Sequence, residues 1–410
     1  MEELWRGLAP QVLGALVRRY GHFETCEDAV QEALLVAARQ WPEQGVPDEP
    51  RTWLIRVASR RLIDLLRNEE SRRRREDIVR TPEVSPAAVS GTDESLTVLF
   101  LCCHPDLPVT AQLPLTLRAV GGLTTSEIAA ALLTPDATIG QRISRAKQKL
   151  RGKPFRPPED PADRLTAVLQ VLYLIFNEGY TRTAGAGLGR IELAREAIRL
   201  ARMLRDQLPA DGEVAGLLAL MLLTDARREA RTTADGRLVP LDEQDRTRWD
   251  QAAITEGTEL ITWAMRTTPL GPYQLQAAIA AVHGEARTAD ETDWRQILAL
   301  YNLLEPLLTG PVVRLNRAVA TAMVHGPDAG LALLGTLAGD DRVRCGHRYH
   351  AVRAHLLDLR GDHREAAETY LTAAKLTTNT AEQRYLRTRA NLAAPADARG
   401  RGNTGVTPAC

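Results

Sequence analysis

Proline-rich segments interrupt this chain at three places, and they limit each folded piece to a short run of helices. Residues 41–52 contain three prolines, residues 80–95 combine proline with serine, threonine and glycine, and residues 152–163 contain four prolines. Proline removes a backbone donor and clashes with the preceding helical turn, so such segments end helices. Between them, apolar residues recur at helical spacing in a sequence rich in Ala and Leu. The pattern predicts an all-α chain of several domains.

Composition restricts the possible partners and the compartment. The 410 residues carry 52 basic and 52 acidic side chains, so any nucleic-acid surface must come from local charge. Five cysteines without Cys-x-x-Cys spacing do not indicate a disulfide framework. The N-terminus lacks a signal-peptide pattern, and no apolar run is long enough to span a membrane. We therefore expect a cytoplasmic protein without a membrane partner.

Residues 123–151 predict a helix-turn-helix. Thr124 followed by Glu127 forms a capping box for the first helix. Thr134 is predicted as the N-cap of the second helix, with Pro135 at its first position. In motifs of this kind the second helix enters the major groove of DNA.

The outward face of that second helix is polar and basic. From Ala137 to Lys153 the sequence contains six Arg or Lys and no Asp or Glu. Gln and Arg can read base edges, while Lys and Arg further along can contact phosphates. A solvated basic helix without a DNA partner is the alternative. The residues predicted to contact DNA here are Thr138, Gln141, Arg142, Arg145 and Lys149.

A second basic helix is predicted upstream, from Trp53 to about Arg75. Residues 51–75 contain nine arginines against three acidic residues, and such a face would bind phosphate with a salt-dependent affinity. The Trp53 ring could stack on an unpaired base; core packing is the alternative. One unit would hold melting DNA and the other would read duplex DNA, and this arrangement suits promoter opening. The residues predicted for the melted DNA are Arg51, Trp53, Arg56, Arg60 and Arg67.

These segments together resemble the extracytoplasmic-function (ECF) sigma factors, which belong to the sigma-70 family of bacterial RNA polymerase subunits. Residues 26–41 are similar to the polymerase-docking segment, residues 50–67 to the −10 melting and recognition segment, and residues 121–151 to the −35-reading helix-turn-helix. The resemblance implies that the loop 41–52 holds a flipped −10 base. It also implies a polymerase-facing set on the docking segment, which consists of Asp28, Gln31, Glu32 and Leu35.

The rest of the chain resembles the subgroup of that family with a long tetratricopeptide-like C-terminal extension. Small residues at Ala354, Ala366 and Ala373, with Tyr370 and a turn at Gly361, are spaced as in a tetratricopeptide helix pair. A generic helical bundle is the alternative. The expected domains are a sigma region 2 domain (1–79), a linker (80–95), a region 4 helix-turn-helix domain (96–153), a tetratricopeptide-like regulatory domain (158–395) and a disordered tail (396–410).

Three further features have competing interpretations. The run Cys102-Cys103-His104 favours core packing over a redox-sensitive thiol or a metal site. Residues 225–249 form either a functional surface or a solvated loop. Four histidines near the C-terminus are expected on the repeat surface rather than as metal ligands, namely His347, His350, His355 and His363.

The sequence thus indicates a non-enzymatic sigma factor that binds core RNA polymerase and promoter DNA. No phosphate-binding glycine loop and no hydrolase motif occurs, and no cofactor or metal is expected. The resemblance implies regulation by the fused C-terminal domain, and a regulatory protein bound by that domain is a further candidate partner. The alternative is an operator-binding helix-turn-helix regulator with a helical sensor domain, although such a protein does not need residues 26–67.

Overall fold

A computed structural model describes residues 2–73, 94–132, 134–151, 153, 161–181, 191–233, 236–339, 344, 346–377 and 379–394. Over these ranges the chain forms eighteen α-helices, and its one β-type pairing is an isolated bridge between Thr232 and Leu238. The predicted all-α class is confirmed. The chain divides into two compact units, the first comprising Met1–Thr181 and Leu188–Gln207, the second Arg182–Gly187 and Leu208–Cys410.

Among the described residues, we find no helix whose length and apolar character would allow it to cross a membrane. The predicted linker 80–95 lies outside the described residues except for its last two positions, and the predicted tail 396–410 lies outside them entirely.

The first unit contains nine helices in its described part. They are α1 (Glu2–Tyr20), α2 (Phe23–Gln44), α3 (Pro50–Arg73), α4 (Ser95–Cys102), α5 (Val109–Ala119), α6 (Thr125–Leu132), α7 (Asp136–Leu150), α8 (Pro161–Thr181) and α9 (Ile191–Gln207).

Helices α1 to α3 bury a shared apolar core. Val12 and Leu16 of α1 are four residues apart, and Leu54, Ala58 and Leu62 of α3 repeat the same spacing; all five are buried. Side chains at i and i+4 lie on one face of a helix, so each helix presents an apolar stripe to its neighbours. Arg56, Arg60 and Arg67 of α3 are thereby left on the solvent-facing side.

The predicted loop 41–52 is mostly helical, so that prediction is wrong. Helix α2 continues past Trp41 and Pro42, and α3 begins at Pro50, which leaves 45–49 as the connection. Proline near the C-terminal end of a helix forfeits one hydrogen bond, and burial of the Trp41 ring holds that last turn in place. At Pro50 the missing N–H costs nothing, because the first turn of a helix leaves its donors unpaired.

The start of α7 also differs from the prediction. Helix α7 begins at Asp136, and Pro135, in an extended conformation, occupies the N-cap position. The Pro135 carbonyl accepts hydrogen bonds from the backbone N–H of Thr138 at 2.9 Å and of Ile139 at 3.1 Å. The Thr134 hydroxyl instead donates to the carbonyl of Leu132 at 3.2 Å. Thr134 is therefore not the cap.

Helices α8 and α9 fold with the helix-turn-helix rather than with the later helices. Arg164 of α8 donates to the Phe100 carbonyl at 3.1 Å, and Arg199 of α9 donates to the Val120 carbonyl at 3.3 Å. The buried Glu196 carboxylate accepts from the Arg199 guanidinium, with Oε2 at 3.0 Å from Nε. The first compact unit therefore extends to Gln207.

The second unit contains the remaining nine helices of the described part. They are α10 (Gly212–Asp225), α11 (Gln251–Thr267), α12 (Pro272–Glu285), α13 (Trp294–Leu307), α14 (Pro311–His325), α15 (Pro327–Gly335), α16 (His347–Arg360), α17 (His363–Leu376) and α18 (Thr380–Ala393).

Helices α16 and α17 have the packing of a tetratricopeptide pair. Ala354, Ala366 and Ala373 are fully buried, which lets the two backbones approach closely around the Tyr370 ring. Gly361 closes the turn with φ of 94°, a left-handed conformation that a side chain disfavours. The predicted tetratricopeptide-like spacing fits this arrangement.

Candidate nucleic-acid and polymerase interfaces

Helix α7 presents the five residues predicted to contact DNA on a single face. Gln141, Arg145 and Lys149 are exposed, and Thr138 and Arg142 are half-exposed. The opposite face is apolar and buried, and it includes Ile139, Ile143 and Leu150. Because the buried face fixes the rotation of the helix, the polar set points to solvent as a group.

The turn that leads into this motif is held by a reciprocal capping box, as predicted. The backbone N–H of Thr124 donates to Oε2 of Glu127 at 2.6 Å, and the N–H of Glu127 donates to Oγ1 of Thr124 at 3.2 Å. Two backbone donors at the start of α6 are satisfied in this way. The box fixes the start of the first helix of the pair.

Helix α3 brings three of its predicted DNA contacts together, leaves Arg51 apart from them and packs part of Trp53. Arg56, Arg60 and Arg67 are exposed at helical spacing on one side. Arg51 is only half-exposed, and it lies five residues before Arg56, which turns it to another side. The Trp53 ring packs edge-on against the Trp41 ring with centroids 5.4 Å apart. Trp53 thus has a packing role, and half-exposure leaves part of its ring accessible.

The predicted polymerase-facing residues of α2, which we name the docking stripe, are Asp28, Gln31, Glu32 and Leu35. Its N-terminal half is in contact with helices α5 and α7: Lys147 of α7 binds Asp28 at 2.8 Å, and Gln31 donates to the Arg118 carbonyl of α5 at 3.4 Å. Its C-terminal half faces solvent. There, Leu35 is 56% exposed and Glu32 lies 3.6 Å from the Arg61 guanidinium.

Glu27 and Lys147 are functional candidates that sequence reasoning missed. The Glu27 side chain is 1% exposed; it accepts a hydrogen bond from Nε of Arg118 at 2.9 Å and pairs closely with the Lys147 ammonium. Burial alone would lower the pKa of Lys147, but the charges of Glu27 and Asp28 outweigh it, and the pKa lies above its ordinary value. A signal existed, because Lys147 follows Ile143 by four residues, on the border of the inward face.

The Cys102-Cys103-His104 run has the properties of core. Both thiols are buried, and Sγ of Cys103 lies 3.8 Å from the Thr116 hydroxyl. Burial raises the pKa of the Cys103 thiol to about 12. A neutral thiol is a poor nucleophile and a poor metal ligand. The geometry supports the core-packing interpretation.

Three of the four C-terminal histidines have partners other than one another. His347 lies 3.3 Å from Glu382, His350 contacts the Arg344 carbonyl at 2.8 Å, and His363 lies 2.9 Å from Asp358. In the described ranges, no group of three or more His, Cys, Asp or Glu side chains is placed to hold a metal ion.

Comparison with known families identifies the two helical domains of the first unit. The family model for sigma-70 region 2 matches residues 4–72, which span α1 to α3. The family model for sigma-70 region 4 matches residues 97–150, which span α4 to α7. These two domains, with the exposed basic faces described above, define a transcription initiation factor of the sigma-70 class.

Two relatives from Mycobacterium tuberculosis narrow the class. The probable ECF RNA polymerase sigma factor SigI (strain CDC 1551 / Oshkosh) is 27% identical over 166 residues, covering 38% of this chain and 57% of that protein. The ECF RNA polymerase sigma factor SigG of the same strain is 28% identical over 185 residues, covering 38% of this chain and 48% of that protein. The chain belongs to the ECF sigma factors, a family of non-enzymatic initiation factors, and it carries a C-terminal extension.

Two further matches include the C-terminal extension. A family model described as a family of unknown function, DUF6596, matches residues 164–265. An uncharacterised protein of Rhizobium meliloti (strain 1021) is 40% identical over 391 residues, covering 92% of each chain. The fused arrangement is therefore shared over nearly the full length of both proteins. No solved structure matches this chain.

Proposed function

We propose that this protein binds core RNA polymerase through the docking stripe, opens promoter DNA at the −10 element through α3, and reads the −35 element through α7. The one-sided polar face of α7, carried on a domain matched by the region 4 model, supports this most directly. The proposed domain limits are 1–79 for region 2 and 96–153 for region 4. We place these activities in the cytoplasm, where core polymerase and promoter DNA are found.

The face of α7 has the chemistry of major-groove recognition. Gln141, Arg142 and Arg145 carry amide and guanidinium groups that can form paired hydrogen bonds with base edges. Thr138 and Lys149 extend the face at its two ends and suit phosphate contacts, which set the register of the helix on DNA. Arg142 and Arg145 are the two residues to which we assign the −35 contacts.

The face of α3 has the chemistry of a phosphate-binding surface near melted DNA. Arg56, Arg60 and Arg67 are exposed together, and each neutralised phosphate releases counterions, so affinity falls with salt. The accessible part of Trp53 suits stacking on an unpaired base. Arg51 flanks this surface rather than sharing it.

For the extension, we propose a regulatory role over residues 158–395, with helix pairs that offer surfaces for a protein partner. Its tetratricopeptide-like packing supports a binding rather than a catalytic role.

The test is transcription in vitro with purified core polymerase from a related bacterium and a library of genomic fragments. The wild-type chain should give defined start sites. The double variant Arg142→Ala with Arg145→Ala should lose −35-dependent initiation by roughly tenfold or more per lost base contact, with polymerase binding retained.

The matched control is Arg364→Ala with Arg384→Ala, which removes two exposed arginines from α17 and α18. Unchanged promoter use in the α7 variant would refute the assignment of the −35 contacts. A wild-type chain that neither directs initiation nor binds core polymerase would instead favour the operator-binding regulator.

A further inference from the structure

A cluster of charges joins region 2 to region 4, and the ion pair at its centre, Glu27 with Lys147, is buried. It consists of Glu27 and Asp28 on α2, Arg118 on α5 and Lys147 on α7, and we name it the interdomain ion-pair cluster. Arg118 donates to Glu27 at 2.9 Å, and Lys147 lies between the two carboxylates, 2.8 Å from Asp28. In every ion pair of the cluster, the carboxylate belongs to region 2 and the cation belongs to region 4. The cluster therefore exists only while the two domains are in contact.

The contacts on α2 follow one face of that helix. Arg151 pairs with Glu24 at 2.7 Å, the ion-pair cluster engages Glu27 and Asp28, and Gln31 binds the Arg118 carbonyl. Positions i, i+3, i+4 and i+7 lie one above another on a helix. Region 4 therefore contacts a continuous strip of α2, in which Glu27 is buried and the Asp28 side chain remains 54% exposed.

The same face continues, uncovered, into Glu32 and Leu35. These two residues are one turn further along the strip, and both are exposed. An exposed leucine flanked by a carboxylate is a suitable first contact for another protein. Region 4 thus contacts one half of the docking stripe, Asp28 and Gln31, while the other half, Glu32 and Leu35, is exposed.

We propose that region 4 is an intramolecular competitor of core RNA polymerase for the docking stripe, and that the polymerase first binds the open half around Leu35 and then displaces region 4. This inference rests on the proposed function. It adds that the chain holds itself in a closed state through the interdomain ion-pair cluster.

Promoter geometry requires this contact to break. Elements centred near −10 and −35 lie about 25 base pairs apart, which is roughly 85 Å of duplex at about 3.4 Å per base pair. Helix α2 cannot touch α7 while the two domains occupy both elements. When the domains separate, water can solvate Glu27 and Lys147, so a buried ion pair is suited to a reversible contact.

The first test measures the affinity of the full-length protein for core polymerase without DNA. Arg118→Gln combined with Lys147→Gln removes both cations that hold Glu27, and both positions lie away from the exposed face of α7. We expect about tenfold tighter apparent binding, because a larger fraction of molecules is open. The matched control is Lys153→Gln, which removes a region 4 cation that pairs with Asp106 of the same domain.

The outcomes are distinct. Tighter binding by the double variant than by both the wild type and the control supports the inference. Equal binding by all three would overturn it while leaving the proposed function intact. If the wild type, the control and the double variant all failed to bind core polymerase, the proposed function would fall, and this inference with it.

A second measurement leaves Arg118 and Lys147 unchanged, so it does not depend on whether the double variant folds. Fluorescent labels at Glu43→Cys and Ser126→Cys, both exposed in the native chain, would report the distance between α2 and α6. Cys345→Ser and Cys410→Ser would limit labelling to those sites, since the other three thiols are buried. Energy transfer should fall when core polymerase is added. Unchanged transfer on saturating polymerase would contradict the displacement step.

Discussion

At the residue scale, His283 has the most strongly altered acid–base chemistry among the described histidines. It lies in α12, its ring packs edge-on against Trp294 with centroids 5.4 Å apart, and Arg246 donates to its backbone carbonyl at 2.8 Å. Burial, reinforced by the charges of Arg227 and Arg246, lowers the pKa of His283 to about 4. The ring is therefore neutral in the folded chain at any pH near 7.

This shift predicts a loss of stability in mild acid. An unfolded histidine titrates near 6.5, so between pH 6.5 and about 4 the unfolded chain takes up a proton that the folded chain excludes. The free energy of unfolding should fall as the pH drops through that window, by at most about 3 kcal/mol, and then level off. Urea unfolding at pH 7.5, 6 and 5 measures it. His283→Gln should lose this component of the pH dependence, and an identical pH dependence in the variant would contradict the assignment.

Residue-level prediction from sequence succeeded where the interaction was local. Thr124 and Glu127 are three positions apart, and their capping box formed as predicted. Glu27 and Lys147 are separated by 120 positions, and nothing in either neighbourhood identifies the other as its partner. Lys147 was grouped with the basic charge of a DNA-reading helix, although its position beside Ile143 indicated the inward side.

At the scale of elements, helices α8 and α9 of the extension pack on the region 4 domain within one compact unit. Beyond the hydrogen bonds of Arg164 and Arg199 to region 4 carbonyls, α8 buries apolar side chains along one face, including Val168, Leu172 and Ile175. A chain that stops before α8 would expose the surface of α4 and α5 that these helices cover.

We therefore expect a chain of residues 1–153 to be less stable than a chain of residues 1–207. Several buried aliphatic side chains contribute about 1.5–3 kcal/mol each when fully removed from water, so the difference should reach several kcal/mol. Thermal unfolding of the two chains, followed by circular dichroism, measures it. Equal midpoints would show that α8 and α9 add nothing to region 4.

Element types were predictable from periodicity, whereas element ends were not. The alternation of apolar and polar residues identified α2, α3 and α7 because the helical repeat is carried by many positions. Their boundaries depend on single residues: Pro42 was interpreted as a helix breaker, but near a C-terminal end it costs one hydrogen bond that the buried Trp41 offsets. The loop assigned to a flipped base was too long for that reason.

At the scale of the whole molecule, every residue proposed for polymerase or DNA lies in the first compact unit. The docking stripe is on α2, the basic face for melted DNA is on α3, and the −35 face is on α7. We therefore expect a chain of residues 1–207 to bind core polymerase within about threefold of the full-length affinity. Titration of both chains against core polymerase measures this. Loss of binding in the shorter chain would place part of the docking surface in the second unit.

The order of the domains along the chain was predictable because each domain carries its own sequence pattern. Which helices pack together in one compact unit was not predictable. Proline-rich residues 152–163 suggested a boundary between region 4 and the extension, and proline content cannot show which side a following helix packs on. The compact unit instead ends at Gln207. The decisive contacts, such as that between Arg199 and Val120, join residues far apart in sequence.

The packing of α9 against the turn at Gly121 has an evolutionary consequence. A β-carbon at Gly121 would lie 2.7 Å from the Leu117 carbonyl oxygen and 3.2 Å from Oε1 of Glu196, so the turn and the extension share one tightly filled space. A substitution at Glu196 or at this turn is therefore tolerated only where the other side of the contact can accommodate it. Exchanging the extension for that of a relative would bring mismatched halves of this contact into one chain.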